Sequence, residues 1–317
     1  MKQRFAILCL LSILFSMAGT GCQFLMRRDY AYQNFPRVLP ESPTLDQVVA
    51  AVNQNSQQIY SFSTNKAELS VSGTPTLNAN IAMTRPHNFR LQAGLPVMGP
   101  ELDLGSNDQY FWFWVKRDKN KAVYYCEHDQ FESSPLRQQM PISPKELIEA
   151  FGLVEFDPAL PHHLSTNRAD GHVEVRTVYQ TTNGPMTRVV VVHGAYGWVL
   201  QEALYNSQEQ LIMYAQAKKH RRDPLSGLVM PEVVVVNLPQ NQMTMRVDLG
   251  DVMINTLDNP NPELWTIPEI QGTKMVNIGG PPVEPPSTQA YTPTVPAYTD
   301  PYGTNPNVPI LNETGSF

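Results

Sequence analysis

The sequence predicts a mainly β, α+β protein built on a single curved antiparallel sheet, with an N-terminal helix and a short helical brace on the concave face. Three observations lead there. Between Lys66 and His128, Ala67, Leu69, Val71, Leu77, Ala79, Ile81, Met83, Phe89, Leu91 and Ala93 alternate with Glu68, Ser70, Asn78, Asn80, Arg90 and Gln92. A period of two puts such residues on one face of successive strands. Further strand patterns run from Val173 to Leu249 between hairpin signals, so about eleven or twelve strands make a sheet too wide to stay flat. Two capping-box spacings, Thr44–Gln47 and Ser143–Glu146, start the helices that cover it.

Taken in order, Lys2 and Arg4 precede an apolar run from Phe5 to Met17 and the small residues Ala18, Gly19, Thr20 and Gly21. The run is shorter than the roughly 20 residues a spanning helix needs, and its layout is that of an export signal over 1–21. With Cys22 next, the stretch resembles a bacterial lipoprotein signal ending in a lipobox, although Gly19 stands where leucine is usual. That resemblance implies lipidation of Cys22 by acyl chains of the palmitate type, and Gln23 behind it implies the outer membrane, facing the periplasm. An ordinary secretory signal cut nearby is the alternative. Lys2 and Arg4 leave with the signal, taking 23 basic residues to 21 against 29 acidic ones, a net of −8. Such a chain is ill suited to nucleic acid, where neutralised phosphates supply most of the affinity. Cys9 leaves too and Cys22 is acylated, so Cys126 has no partner for an intrachain disulfide.

Residues 22–43 are a tether rich in aromatic, basic and proline residues; Arg27 and Arg28 either meet anionic headgroups or are simply solvated. Leu45, Val48, Val49, Val52 and Ile59 then recur at a helical period, predicting a helix over 44–58 packed on the apolar face of the sheet. Strands follow from near Tyr60, turning at Gly73-Thr74-Pro75, Arg85-Pro86-His87 and Gly94 to Pro100. Tyr110 to Val115 is apolar at every position, so that strand is buried on both faces or lines a cavity with one. Cys126 and His128 lie two apart on the next strand with no further ligand pair nearby, and read as a buried small side chain and its neighbour.

Ser143, Pro144 and Glu146 open the brace, Leu147, Ile148 and Phe151 face inward, and Gly152 ends it. The loop after it holds Glu155, Asp157, His162 and His163, whose spacing fits no ligand pattern, so it reads as solvated. Strands resume over 173–181, 187–193, 197–205, 209–217, 231–238 and 242–249. Met243 and Met245 share the apolar face there, either as core or as an adaptable cavity wall. Lys218 to Arg222 reads as an exposed hairpin tip, solvated or in contact with lipid phosphates or an acidic partner. Asp251 to Pro268 is a closing loop with Trp265 as a plug, and 280–317 is a proline-rich tail too poor in apolar residues to order itself. No Gly-x-Ser-x-Gly elbow, zinc spacing or cofactor motif occurs, so no catalytic residue, metal or cofactor is expected.

From Ala67–Gly73 through Arg85-Pro86 before Phe89-Arg90-Leu91 to Trp198–Pro231, the order of elements over 44–279 resembles the LolA/LolB-type lipoprotein-carrier superfamily. The resemblance implies an open half-barrel that holds acyl chains between sheet and helices. On the apolar face, the candidate ligand-binding residues are Leu69, Val71, Leu77, Ile81, Met83, Phe89, Leu91, Trp112, Trp114, Met243 and Met245. The expected protein is a non-enzymatic envelope lipoprotein, held to the membrane by its lipid anchor and binding a lipid, acyl chain or lipidated partner. The alternative is a structural lipoprotein with a filled core, engaging partners through its tail.

Overall fold

The structure, a computed structural model, describes residues 35–131, 143–181, 183–257 and 261–279. The export signal, Cys22, residues 22–34 of the tether and the tail 280–317 lie outside them. Helix α1 (Leu45–Gln58) opens the folded region, and six strands follow: β1 (Ser61–Val71), β2 (Leu77–Thr84), β3 (Asn88–Leu95), β4 (Gly99–Ser106), β5 (Tyr110–Val115) and β6 (Ala122–Glu127). One turn, α2 (His128–Phe131), and the brace α3 (Pro144–Ala150) precede β7 (His162–Ser165), β8 (Val173–Thr181), β9 (Gly184–Val192), β10 (Val199–Tyr205), β11 (Leu211–Arg222), β12 (Val229–Leu238) and β13 (Met243–Asp248). β14 (Met253–Ile254), a 3-10 turn at Pro262–Trp265 and β15 (Lys274–Asn277) end it.

All strands join one 15-stranded sheet with β15 and β7 at its outer ends, antiparallel throughout except that β15 runs parallel to β6. The sheet is curved and unclosed, an open half-barrel with both helical segments on its inner face. Parity over Ala67–Ala93 holds as the sequence predicts, and a register shift precedes it on β1. β1 pairs Thr64 with Ile81 and then Ala67 with Ala79, one residue more on β1 than on β2. This bulge puts Phe62 and Thr64 on the same face as Leu69. Thr64 secures it, its hydroxyl donating to the Leu249 carbonyl at 2.9 Å and accepting from the Lys66 amide at 3.2 Å.

Both capping boxes form. Thr44 Oγ1 accepts from the Gln47 amide and Gln47 Oε1 accepts from the Thr44 amide; Ser143 and Glu146 exchange the same pair of bonds. Val48 and Val52 of α1 bury themselves among Val173, Val175, Val190 and Val192, so this helix covers β8 and β9. Asn53 and Asn55 fix its height, each pairing through its amide with both backbone groups of one residue, Phe156 and Val229 respectively. The brace lies over the other half, where the Phe151 ring sits 5.7 Å from Phe62 and 6.0 Å from Phe89.

Three expectations are corrected. Lys218 to Arg222 is no hairpin tip but the last stretch of β11, registered from Lys218↔Val233 to Arg222↔Val229; the tip is 223–228. The segment with His162 and His163 is an edge strand paired to β8, because alternate His162 and Leu164 face inward against Thr177 and Val175. Among the described residues the strands number fifteen, since the short β7, β14 and β15 carry no local strand signal.

Alternating strand direction gives the sheet two rims. The first carries the β2–β3, β9–β10 and β11–β12 turns; the second carries the β3–β4, β5–β6 and β12–β13 turns. Residues 35–39 dock on the first rim. The Val38 and Leu39 amides both donate to the Ala195 carbonyl at 2.8 and 3.0 Å, and Phe35 meets Trp198 edge-on at 4.7 Å.

Candidate functional site

The inner face divides in two. Leu69, Ile81, Met83, Phe89 and Leu91 are buried on it and packed together with Leu147, Ile148 and Phe151 of the brace segment. These positions are filled core. Toward the second rim, Val71, Leu77, Leu102, Leu104, Met243 and Met245 stay only half buried at the border of that core. Register makes them neighbours across the sheet: Val71↔Met245, Leu69↔Leu77, Leu104↔Phe113 and Leu102↔Val115. With Phe113, Val115 and Tyr124 they form an apolar stripe along the second rim.

The stripe opens into a hollow of 340 Å³ lined by Phe113, Val115, Arg117, Asp118, Asn120 and Tyr124. Phe113 and Tyr124, paired across β5 and β6, stack at 4.8 Å and make a flat wall. The Tyr124 hydroxyl donates to Asp118 and accepts from Asn120, both at 2.9 Å, which fixes the polar lip. Arg117 stands exposed at the mouth, its guanidinium 3.4 Å from Glu101. A second cleft, between α1, Gly152, Trp198 and Pro231, has 10 Å³ of space, enough for about one water.

Trp112 and Trp114, grouped with the inner face in the sequence, lie on the outer one. Register places Leu104 and Phe113 inward, so the alternate Trp112 and Trp114 point outward. There they are buried with Val123 and Tyr125, with Ile267, Ile270 and Met275 packed against them. An ion pair locks this closing layer: Arg90 contacts Asp103 at 2.8 Å, Asp103 also accepts from Trp112 Nε1 at 3.1 Å, and Arg90 donates to the carbonyls of Glu263 and Leu264. Of the two alternatives for the all-apolar strand, the structure favours the second: its outer face is buried while Phe113 and Val115 on the inner face line the hollow, and the indole rings are not on the apolar face with Leu69.

The inner face also carries buried charge that the sequence analysis passed over. Arg188 of β9 and Glu149 of the brace form an ion pair at 3.0 Å. Glu202 of β10 is 1% exposed, and neither of its carboxyl oxygens has a hydrogen-bond partner. Burial, and then the negative charge of Glu149, raise the Glu202 carboxyl well above the ordinary carboxylate range, which favours its neutral form. The signal was present, since Glu202 shares parity with Leu204 and Arg188 with Val190.

The other candidate groups are structural in their contacts. Cys126 is a free, buried thiol beside Phe111 and Phe131, pushed up to about 12 by burial, and a protonated thiol is a poor nucleophile. His128 Nε2 bonds the Asn107 carbonyl at 2.7 Å. His162 is held between Thr177 Oγ1 at 2.7 Å and the Asp157 carbonyl at 2.8 Å, and Glu155 pairs with Arg85. Among the described residues, no group of three or more metal-ligating side chains converges.

No family model and no curated protein matches the sequence. Solved structures similar to the fold include a LolA superfamily protein from Nitrosomonas europaea, 10% identical, with a TM-score of 0.44 over 71% of this chain and 98% of that one. A DUF1329 family protein from Desulfovibrio piger is 12% identical, with a TM-score of 0.45 over 67% of this chain and 92% of that one. A structure described as an outer membrane lipoprotein-sorting protein domain, from Vibrio parahaemolyticus, is 11% identical, with a TM-score of 0.45 over 66% of this chain and 93% of that one.

Proposed function

We propose that this protein is a non-enzymatic lipoprotein of the bacterial envelope, anchored through acylated Cys22 in the outer membrane. In this reading it binds an acyl chain, or a partner that carries one, on the uncovered part of its inner face. One observation carries the proposal: among the described residues the helical cover stops short of the second rim and leaves an apolar stripe running into the 340 Å³ hollow. That volume lies at the lower end of ligand pockets, about 300–1,000 Å³. The stacked Phe113 and Tyr124 offer a flat apolar wall to a hydrocarbon chain, and Arg117 at the mouth offers a cation to an anionic headgroup.

The test is native mass spectrometry of the purified protein for retained acyl species, followed by displacement of a fluorescent fatty acid. Fully burying a Val- or Phe-sized side chain is worth about 1.5–3 kcal/mol, so placing charge in the wall at exposed Val115 (Val115→Asp) or half-buried Phe113 (Phe113→Arg) weakens probe binding roughly tenfold or more. Clean spectra together with no probe binding by the wild type would overturn the proposal.

A further inference from the structure

The β11–β12 hairpin and the basic strand leading into it have no part in the hollow, which opens at the other rim. The tip 223–228 is a built turn. Asp223 accepts from the amide and the hydroxyl of Ser226 at 2.7 and 2.6 Å, the Gly227 amide returns to the Asp223 carbonyl at 2.9 Å, and Arg222 Nε donates to the Gly227 carbonyl at 2.9 Å. This bonding holds out a single large apolar side chain, Leu225, which is 95% exposed. Behind it stand Lys218, Lys219 and Arg222, all exposed and in no ion pair among the described residues, while Arg221 faces Glu232 and Asp251 at 3.9 and 3.8 Å.

This hairpin adjoins the site where the N-terminal segment docks. Phe35 packs on Trp198, Trp198 stacks on His220 at 5.1 Å, and His220 lies two residues before Arg222. Val38, fastened to Ala195 on the same rim, is 56% exposed. From Cys22 to Phe35 the chain spans at most about 45 Å, which bounds how far this rim stands from an anchor at Cys22.

We infer that the first rim, with Leu225 at its tip and Lys218, Lys219 and Arg222 behind, docks on an anionic lipid surface. The placement rests on the reading of Cys22 as the anchor, whereas the chemistry does not: an apolar tip enters the interface while lysine and arginine meet lipid phosphates. The chemistry matches only one partner, a bilayer carrying negative charge.

The experiment uses the full-length protein with an environment-sensitive fluorophore at Leu225→Cys or, as control on the second rim, at Val97→Cys, whose parent side chain is 96% exposed. Cys126 is buried, and peptide mass spectrometry checks that Cys9 and Cys22 carry no label. Vesicles are pure phosphatidylcholine, or equal parts phosphatidylcholine and phosphatidylglycerol, with a nitroxide quencher in the acyl region. The label at 225 should be quenched on the anionic vesicles, while the label at 97 stays in water. Lys218→Gln with Lys219→Gln should lower the docked-to-undocked ratio about twenty-five-fold, each lysine contributing about fivefold near such a surface. Slower amide exchange over 223–228 on the anionic vesicles gives a readout that needs no label.

Quenching at 97 with a wet 225, or a wet 225 on both vesicles, overturns the inference. Association with pure phosphatidylcholine reports the anchor separately. A protein that ignores those vesicles yet docks 225 on anionic ones keeps the surface and loses the anchor; one that sits on both with 225 in water keeps the anchor and loses the surface.

Discussion

Replacing Glu202 with Gln tests whether a buried carboxyl is kept neutral inside the sheet. The side chain is 1% exposed, its oxygens have no hydrogen-bond partner, and the nearby Arg188 is already paired with Glu149 at 3.0 Å. Its folded pKa is raised, so the sign is fixed. Below the unfolded value of about 4.3 both states hold the proton. Above it the unfolded chain releases the proton while the folded chain retains it, and stability falls by about 1.4 kcal/mol per pH unit until the folded pKa is passed. Glutamine has nearly the same shape and no proton to lose. The variant should therefore match the wild type near pH 4 and gain on it as pH rises above that, at a slope of up to about 1.4 kcal/mol per pH unit. Urea denaturation of both proteins at pH 4, 5, 6 and 7 measures the difference, and contributions from other carboxyls cancel within it. A difference that stays flat with pH, or that turns against Gln as pH rises, would refute the reasoning.

Two further outcomes follow from packing. Arg90→Met strips Asp103 of its cation and two carbonyls of the 3-10 turn of their donor, so it should cost about 3–5 kcal/mol by denaturation and release amide protection over 261–266; a loss below about 1 kcal/mol would mean the outer layer is held by its apolar contacts alone. Phe151→Ala opens a void between Phe62 and Phe89 and should cost about 3–5 kcal/mol, unless the brace contributes little to holding the inner face.

Much of this was legible because its signals are local. Thr44 with Gln47 and Ser143 with Glu146 announce two helix starts within four residues each, and Ala67 to Ala93 declares an inner face by alternation alone. The rest depends on partners far away in the chain. A strand apolar at every position cannot say which face Trp112 takes, because that is decided by Leu104 and by the segment beyond 261 that covers the indoles. Lys218 to Arg222 looked like a loop because its charge suits solvent, yet a strand reaching the sheet's rim can also be solvated, and Val229 to Val233 pair with it there. β15 leans on β6, some 150 residues earlier in sequence. The half-buried stripe was only partly visible: parity identified Val71, Leu77, Met243 and Met245, but where the helices stop covering the sheet depends on how far the brace extends across it.

The separation of the two rims gives the molecule a direction. β3 is eight residues long, about 26 Å from one end to the other. A ligand bound by Phe113 and Tyr124, as proposed, would therefore lie a strand's length from the place where residues 35–39 are fastened. In that case a partner approaching the second rim would reach the ligand without displacing residues 35–39 from Ala195.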